Sequence, residues 1–346
     1  MKASPNSRAI VAVTMGDPVG VGPEIILKAL MHEEIYNHVK PVVIGLPAVF
    51  RKVSDCCGLK VTLRSVREDE IANARYSSDT VNIIPIDFEP NIDYLKFGVP
   101  TREAAIVAYK AIEKAVDLAL RGYVDAIATA PINKEEMRLA YPNFIGHTEL
   151  LQELTDSPYA LTMFVTENMR VFFLTRHVAL RDVFKYVTVD NVVKTLIEVK
   201  ESLEKLGIKN PRIAVAALNP HASDGGLFGD EEEKVLKPAI EKAKAMGIDA
   251  IGPVPADTVF WQARMGRYDA VLSLYHDQGH IATKTVDFYK TISVTLGLPF
   301  IRTSPDHGTA YSRAGKCTAN EISMYMSIIL AAQWGRVYRQ YYKEKP

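Results

Sequence analysis

Side chains that could do chemistry gather in Tyr275–Ala310, YHDQGHIATKTVDFYKTISVTLGLPFIRTSPDHGTA. The stretch holds three of the eight histidines (His276, His280 and His307) with Lys284, Arg302 and two His–Asp neighbours. Between them runs ISVTLGLPFI, which reads as a buried strand, and polar groups on such a strand must be paired, bound to a metal or used in chemistry. Two further strand-like segments run into histidine, MRVFFLTRHVAL at His177 and PRIAVAALNPHAS at His221, just as YDAVLSLYHDQGH runs into His276. One strand-end histidine is usually a satisfied polar residue. Three at one topological position suggest a divalent-metal site. Ligands of open α/β sheets lie at strand carboxyl ends, and three neutral imidazoles leave positions open for substrate. Lys284 and Arg302 beside them suggest a small anionic substrate, surface ion pairing being the plainer reading. Asp257 and Asp277 are candidates for orienting the histidines or relaying a proton, with a purely structural role the alternative. His307-Gly308-Thr309-Ala310, followed by Ala314-Gly315-Lys316, says by itself only that backbone approaches something closely.

These groups need a scaffold, and the pattern around them is α/β. AIVAVTM (9–15) is a β-branched apolar run, followed by GDPVGVGPE and a helical pattern, a strand–loop–helix unit that can cradle an anion. It is not a dinucleotide fingerprint, because Ile25 stands where a third glycine belongs, and it is not a phosphate loop with Lys-Ser/Thr. KPVVIGLPAVF reads as a strand with a turn, 51–100 as less regular apart from a strand at 80–86, 102–121 as an amphipathic helix ended by Gly122, and 124–131 as a strand. Gly146-His147-Thr148-Glu149 precedes a helix, where a Thr is most often a cap. The acidic run 230–233 opens a helix, Asp257 falls in a loop, and the tail NEISMYMSIILAAQWGRVYRQYY is a long helix facing the core. Strands alternating with helices imply a mainly parallel sheet.

At 346 residues the chain suits two domains. Lys and Arg balance Asp and Glu at 41 each, which gives no support to a polyanion or membrane partner. Three cysteines, two of them adjacent, make no disulfide framework, and with no signal-peptide core in MKASPNSR and no membrane-length apolar run, a cytoplasmic protein is expected.

The blocks MGDPVGVGPE, GHTELL, LNPHASDGG, GPVPADTVF, YHDQGH, TLGLPFIRTSPDHGTA and AGK, spread in order over almost the whole chain, resemble the 4-hydroxythreonine-4-phosphate dehydrogenase (PdxA) family. The resemblance implies an isocitrate/isopropylmalate dehydrogenase-like fold: two α/β/α domains, 1–130 with 303–346 and 131–302, an active-site cleft between them, and a homodimer. It implies NAD as cofactor and one divalent ion (Zn, Mg, Co, Mn, Ni or Fe) on His177, His221 and His276, with one ligand supplied by the other subunit. His147, Thr148, Lys284, Ser293 and Arg302 match substrate positions, Ser293 standing where the family usually has Asn. His307, Gly308, Thr309, Ala310, Gly315 and Asn320 fall on the adenine side of the NAD site, where YSRAGKC departs from the usual pattern at Arg313 and Cys317. The form YHDQGHIATK is closer to paralogues acting on 4-phospho-D-threonate or 4-phospho-D-erythronate.

The expected reaction is NAD-dependent, metal-assisted oxidation of a secondary alcohol in a phosphorylated hydroxy acid, then decarboxylation of the β-keto acid. Asp257, Asp277 and Lys284 are the candidate catalytic groups. Alternatives are an aromatic cis-dihydrodiol dehydrogenase of the terephthalate type, a metal-dependent hydrolase or lyase, which has no need of HGTA and AGK, and a non-catalytic protein.

Overall fold

The computed structural model of the protein describes residues 8–344, so the reading of residues 1–7 lies outside it. The chain divides into two compact units, Met1–Ala160 with Gly297–Pro346, and Leu161–Leu296. Residues 131–160 and 297–302, assigned from the sequence to the second domain, pack in the first unit.

In the first unit β1 (Ala9–Thr14) leads to α1 (Gly22–Leu30), β2 (Val39–Gly45) to α2 (Pro47–Cys57), and β3 (Thr62–Ser65) to β4 (Thr80–Pro85). Then come α3 (Arg102–Arg121), β5 (Ala126–Thr129), α4 (Lys134–Ala140) and α5 (His147–Leu154). The turn read after β2 is in fact the start of a helix, and Pro47 suits its first turn because that position has no intrahelical N–H partner. The second unit runs β6 (Leu161–Thr166), β7 (Met169–Phe173), α6 (Val189–Lys205), β8 (Ile213–Ala216), α7 (Lys237–Ala245), β9 (Ala250–Val254), α8 (Ala256–Arg264), β10 (Ala270–Ser273), α9 (His276–Val286) and β11 (Ile292–Leu296). The chain returns to the first unit for β12 (Ile301–Pro305) and α10 (Ile322–Glu344). ISVTLGLPFI is thus two strands: the chain breaks at Gly297, whose φ of 89° strand geometry does not allow.

The first unit's strands lie in the order β3-β4-β2-β1-β5-β12, every pair parallel. α3 packs on β1 and β2, and α10 on β12, β5 and β1. Parallel strands covered by helices read as continuous apolar runs, and Val11, Ala12, Val13, Ala126, Ile127 and Ala128 have no exposed surface. Sheet order reverses direction at β1, so the loops leaving the carboxyl ends of β1 and β5 open a crevice of the kind that takes ligands. Gly16 lets these loops meet. Its φ is 68° and a Cβ there would stand 2.4 Å from the Pro131 carbonyl oxygen.

The second unit's strands follow β11-β6-β7-β10-β8-β9, antiparallel at β11–β6 and β6–β7 and parallel beyond. Its core joins Phe164, Val171 and Phe173 to Ala214, Val259, Phe260 and Val271. α9 reaches this core because residue 279 is glycine, where a Cβ would stand 2.5 Å from the Phe173 ring.

The cysteines, expected to make no disulfide framework, do form one pair. Cys57, the last residue of α2, is disulfide-bonded to Cys317 in the loop before α10. The two are 260 residues apart, so no local spacing could show the pair; one sheet brings the segments after β2 and β12 together. No described helix is long and apolar enough to cross a membrane.

Candidate active site

In the first unit, a pocket opens at the carboxyl ends of β5 and β12, lined among others by Thr129, Lys134, His147, Arg302, Ser304 and His307. Arg302 lies on β12 and is 6% exposed. Its Nε and Nη2 donate to the Thr129 hydroxyl at 2.9 and 2.6 Å. Burial pulls its pKa down to about 9, with the Glu149 carboxylate pulling the other way. His147 opens α5. Partly buried as a residue, it keeps Nε2 sealed from solvent and without a hydrogen-bond partner. Burial first, then the charges of Arg302 and Lys134, push its pKa well below the ordinary histidine value, so the ring is neutral. A buried cation, an exposed Lys134 and an orphaned imidazole nitrogen in one pocket would be satisfied together by a small oxyanion. Thr148 follows as the second residue of α5. The sequence reading missed Lys134, although it lies just past a strand's carboxyl end.

A second feature backs this pocket. The Asp17 and Glu136 side chains are 0% and 1% exposed and face one another, with the Tyr311 hydroxyl beside Asp17. Asp17 accepts from the Val19 amide at 2.8 Å, and Glu136 from the Thr101 amide at 3.1 Å. Burial, then the neighbouring Asp17 charge, raises the Glu136 pKa to about 9, so one proton stays in the pair at neutral pH.

The residues expected on the adenine side lie in the loop before α10. The Thr309 carbonyl accepts from the Val21 amide at 3.0 Å, which seats 307–310 against the loop before α1. Gly308 and Ala310 are exposed, and Gly315 has φ 71°. Asn320 uses its side-chain oxygen to accept from the Ile322 amide at the start of α10, at 2.9 Å.

In the second unit, the three histidines each follow a strand. His276 opens α9, His177 lies four residues past β7, and His221 lies in a turn after β8. The polar cluster read at a strand's end is therefore largely helical: His276, His280 and Lys284, at i, i+4 and i+8, share one face of α9 and line one hollow. The His177 and His276 ring centroids are 6.2 Å apart. His276 stacks on His280 at 4.0 Å, and His280 rests on Phe164 and Phe173. Burial, then His276 and Lys284, bring the His280 pKa down to about 4, so it stays neutral. His276 Nδ1 donates to Asp277 Oδ1 at 2.6 Å, which favours the tautomer whose Nε2 lone pair could take a metal. Asp257 is in α8, not a loop, and lines a hollow with Asp277. Ser293 is buried on β11.

His221 is held unusually. Residues 221–225 all have positive φ, four of them non-glycine, a conformation disfavoured by about 1 kcal/mol or more per residue. Glu232, fully buried, holds the turn's base by accepting the Leu218 and Asn219 amides at 2.9 and 2.7 Å. The acidic run read as a helix start thus also anchors this turn. The three histidines do not converge within one chain: among the described residues, the only group of three or more His/Cys/Asp/Glu whose ligand atoms all lie within 4.8 Å is Cys56, Cys57 and Cys317. His177 and the carboxylate-backed His276 fit a divalent ion as a partial donor set that needs a further ligand.

The family profile described as Pyridoxal phosphate biosynthetic protein PdxA matches residues 37–331. The chain belongs to the PdxA family. It is 47% identical over 335 residues to a Clostridium botulinum protein provisionally named D-threonate 4-phosphate dehydrogenase, covering 97% of this chain and 99% of that one. A relative of the same provisional name from Halalkalibacterium halodurans is 48% identical over 329 residues, covering 95% and 98%. The 4-hydroxythreonine-4-phosphate dehydrogenase of Klebsiella pneumoniae shares the fold, with TM-score 0.86, 40% identity, and 94% and 99% of the two chains covered. These PdxA relatives are dehydrogenases acting on a CH–OH group, and this chain is an enzyme of that class.

Proposed function

We propose that the chain oxidises the secondary hydroxyl of a small phosphorylated hydroxy acid, with D-threonate 4-phosphate as the first substrate to test, and that it does so with NAD as hydride acceptor and one divalent metal ion. The observation that carries the reading is the pocket of Arg302, Lys134 and the neutral, orphaned His147 Nε2. In that reading Arg302 and Lys134 hold the phosphate, and His147 fixes its orientation. His177 and His276 hold the metal, with Asp277 keeping the His276 tautomer, and a partner subunit completes the ligand set. A bound divalent ion lowers the pKa of a substrate hydroxyl, so that its proton can leave near neutral pH. Asp277 and Lys284 are the groups available to take that proton. Bound NAD⁺ would supply the acceptor for the hydride of the carbinol carbon. Where that carbon is β to a carboxylate, the product is a β-keto acid that loses CO2. The names of the curated relatives support the phosphorylated C4 acid over other alcohols.

The test is NADH formation at 340 nm with NAD⁺, added Mg²⁺, Mn²⁺, Co²⁺ or Zn²⁺, and either D-threonate 4-phosphate or D-threonate. Turnover of the phosphorylated acid alone, lost with a chelator and in His276→Ala, is expected. Equal turnover of both acids would overturn the phosphate assignment, and turnover undiminished by chelator would overturn the metal.

A further inference from the structure

The three cysteines converge far apart in sequence. Cys56 and Cys57 close α2, Cys317 lies in the loop before α10, and their sulfurs all lie within 4.8 Å of one another. Cys57 and Cys317 are bonded, with Cα atoms 5.3 Å apart. Cys56 is free and exposed, and its thiol donates to the Gly315 carbonyl at 3.5 Å. Cys317 has φ 61°, a conformation that favours glycine. A residue with a β-carbon sits there at a cost, and its side chain is used to tie the loop to α2. From the other side, Lys28 Nζ donates to the Cys317 and Ala319 carbonyls at 3.0 Å each, and Glu24 accepts from the Ala319 amide at 2.9 Å. Between Tyr311 and Cys317, Arg313 and Lys316 are exposed. The loop is therefore held at both ends, by Tyr311 beside Asp17 and by Cys317, with Ala314 buried between them and Arg313 and Lys316 turned to solvent.

We infer that Cys57–Cys317 is a redox latch on residues 311–317, with the exposed Cys56 thiol beside it. Oxidised, the latch holds the loop ready for the dinucleotide; reduced, it lets the loop move and weakens that binding. The inference rests on the reading of residues 307–320 as the dinucleotide side. Opening needs a dithiol. Its thiolate attacks one sulfur of the Cys57–Cys317 bond, the other protein sulfur leaves and takes a proton, and the dithiol's second thiol then displaces the first protein sulfur. The protein gains two thiols and the reagent departs as a cyclic disulfide. Closing is the reverse, with a small disulfide accepting the two electrons.

Thiol titration in denaturant, after incubation with oxidised or reduced dithiothreitol, should give one thiol per chain and three, respectively. Trypsin should cut at Arg313 and Lys316 roughly tenfold faster in the reduced protein. NAD⁺ measured by calorimetry should bind about three- to tenfold more weakly to the reduced form, since a pre-ordered loop has less freedom to lose. Cys317→Gly, which suits the same φ, should show one cutting rate and one NAD⁺ affinity in both conditions. Three thiols after oxidation would overturn the latch. Equal cutting and equal affinity in wild type would overturn its control of the loop. If NAD⁺ binds in neither state while cutting still follows the thiol count, the latch stands and the dinucleotide reading of 307–320 fails.

Discussion

On the proposed reading, Arg302 holds the substrate phosphate in the first unit's pocket. Burial draws the Arg302 pKa down to about 9, and its planar guanidinium can meet a dianionic phosphate at two points, a geometry an ammonium cannot copy. Arg302→Lys should therefore raise KM for D-threonate 4-phosphate by roughly 10- to 100-fold and change kcat much less. Initial rates over substrate concentration check this. A fall in kcat at unchanged KM would place Arg302 in the chemical step, not in holding the phosphate. The same reading needs His147 neutral: a protonated ring would be repelled by Lys134 and Arg302, whereas the neutral ring leaves Nε2 able to pair with an oxygen.

At the scale of elements, the loop after β1, the helix α4 and the loop before α10 are joined through Asp17, Glu136 and Tyr311. Glu136 has its folded pKa raised to about 9, above the unfolded value of about 4.3. Between those values the folded state keeps a proton that the unfolded state has released, so stability falls as pH rises, by at most about 1.4 kcal/mol per pH unit, and levels off above the folded pKa. Glu136→Gln removes this term while its amide can still donate to Asp17. Thermal midpoints should favour the variant by a margin that widens from pH 5 to pH 8; a margin constant with pH would show that Glu136 is ionised in the fold. Legibility also varies at this scale. α3 was readable to its last residue because a 3.6-residue apolar period meets a left-handed Gly122. ISVTLGLPFI misled because both of its halves are buried, and burial hides the break at Gly297. In YHDQGHIATK, the four-residue spacing of His276, His280 and Lys284 was a helical signal overshadowed by the strand before it. The Cys57–Cys317 pair joins segments 260 residues apart, and the grip of Glu232 on the His221 turn spans 13 and 14 residues of irregular chain, and neither follows a helix or strand period.

At the scale of the whole molecule, the metal reading needs more than one chain. His177 and His276 approach each other, yet the three histidines do not meet within ligand distance in a single chain. The second unit also leaves Leu180, Phe184, Leu227 and Trp261 more than half exposed, apolar surface that a partner copy would cover. If a homodimer shares its ligands so that His221 and His276 of one site come from different subunits, each single variant, His221→Ala or His276→Ala, leaves both sites of its own dimer broken. A dimer made of one chain of each kind carries one site with both changes and one intact site. Co-refolding equal amounts of the two inactive variants should then restore about a quarter of wild-type activity, because about half of randomly paired dimers are mixed and each has one working site of two. The same mixture of His276→Ala with wild type should give about half the wild-type rate under either arrangement, which serves as the mixing control. Recovery near zero in the first mixture would mean that each chain assembles its own ligand set, and the role given to the partner subunit would have to be withdrawn.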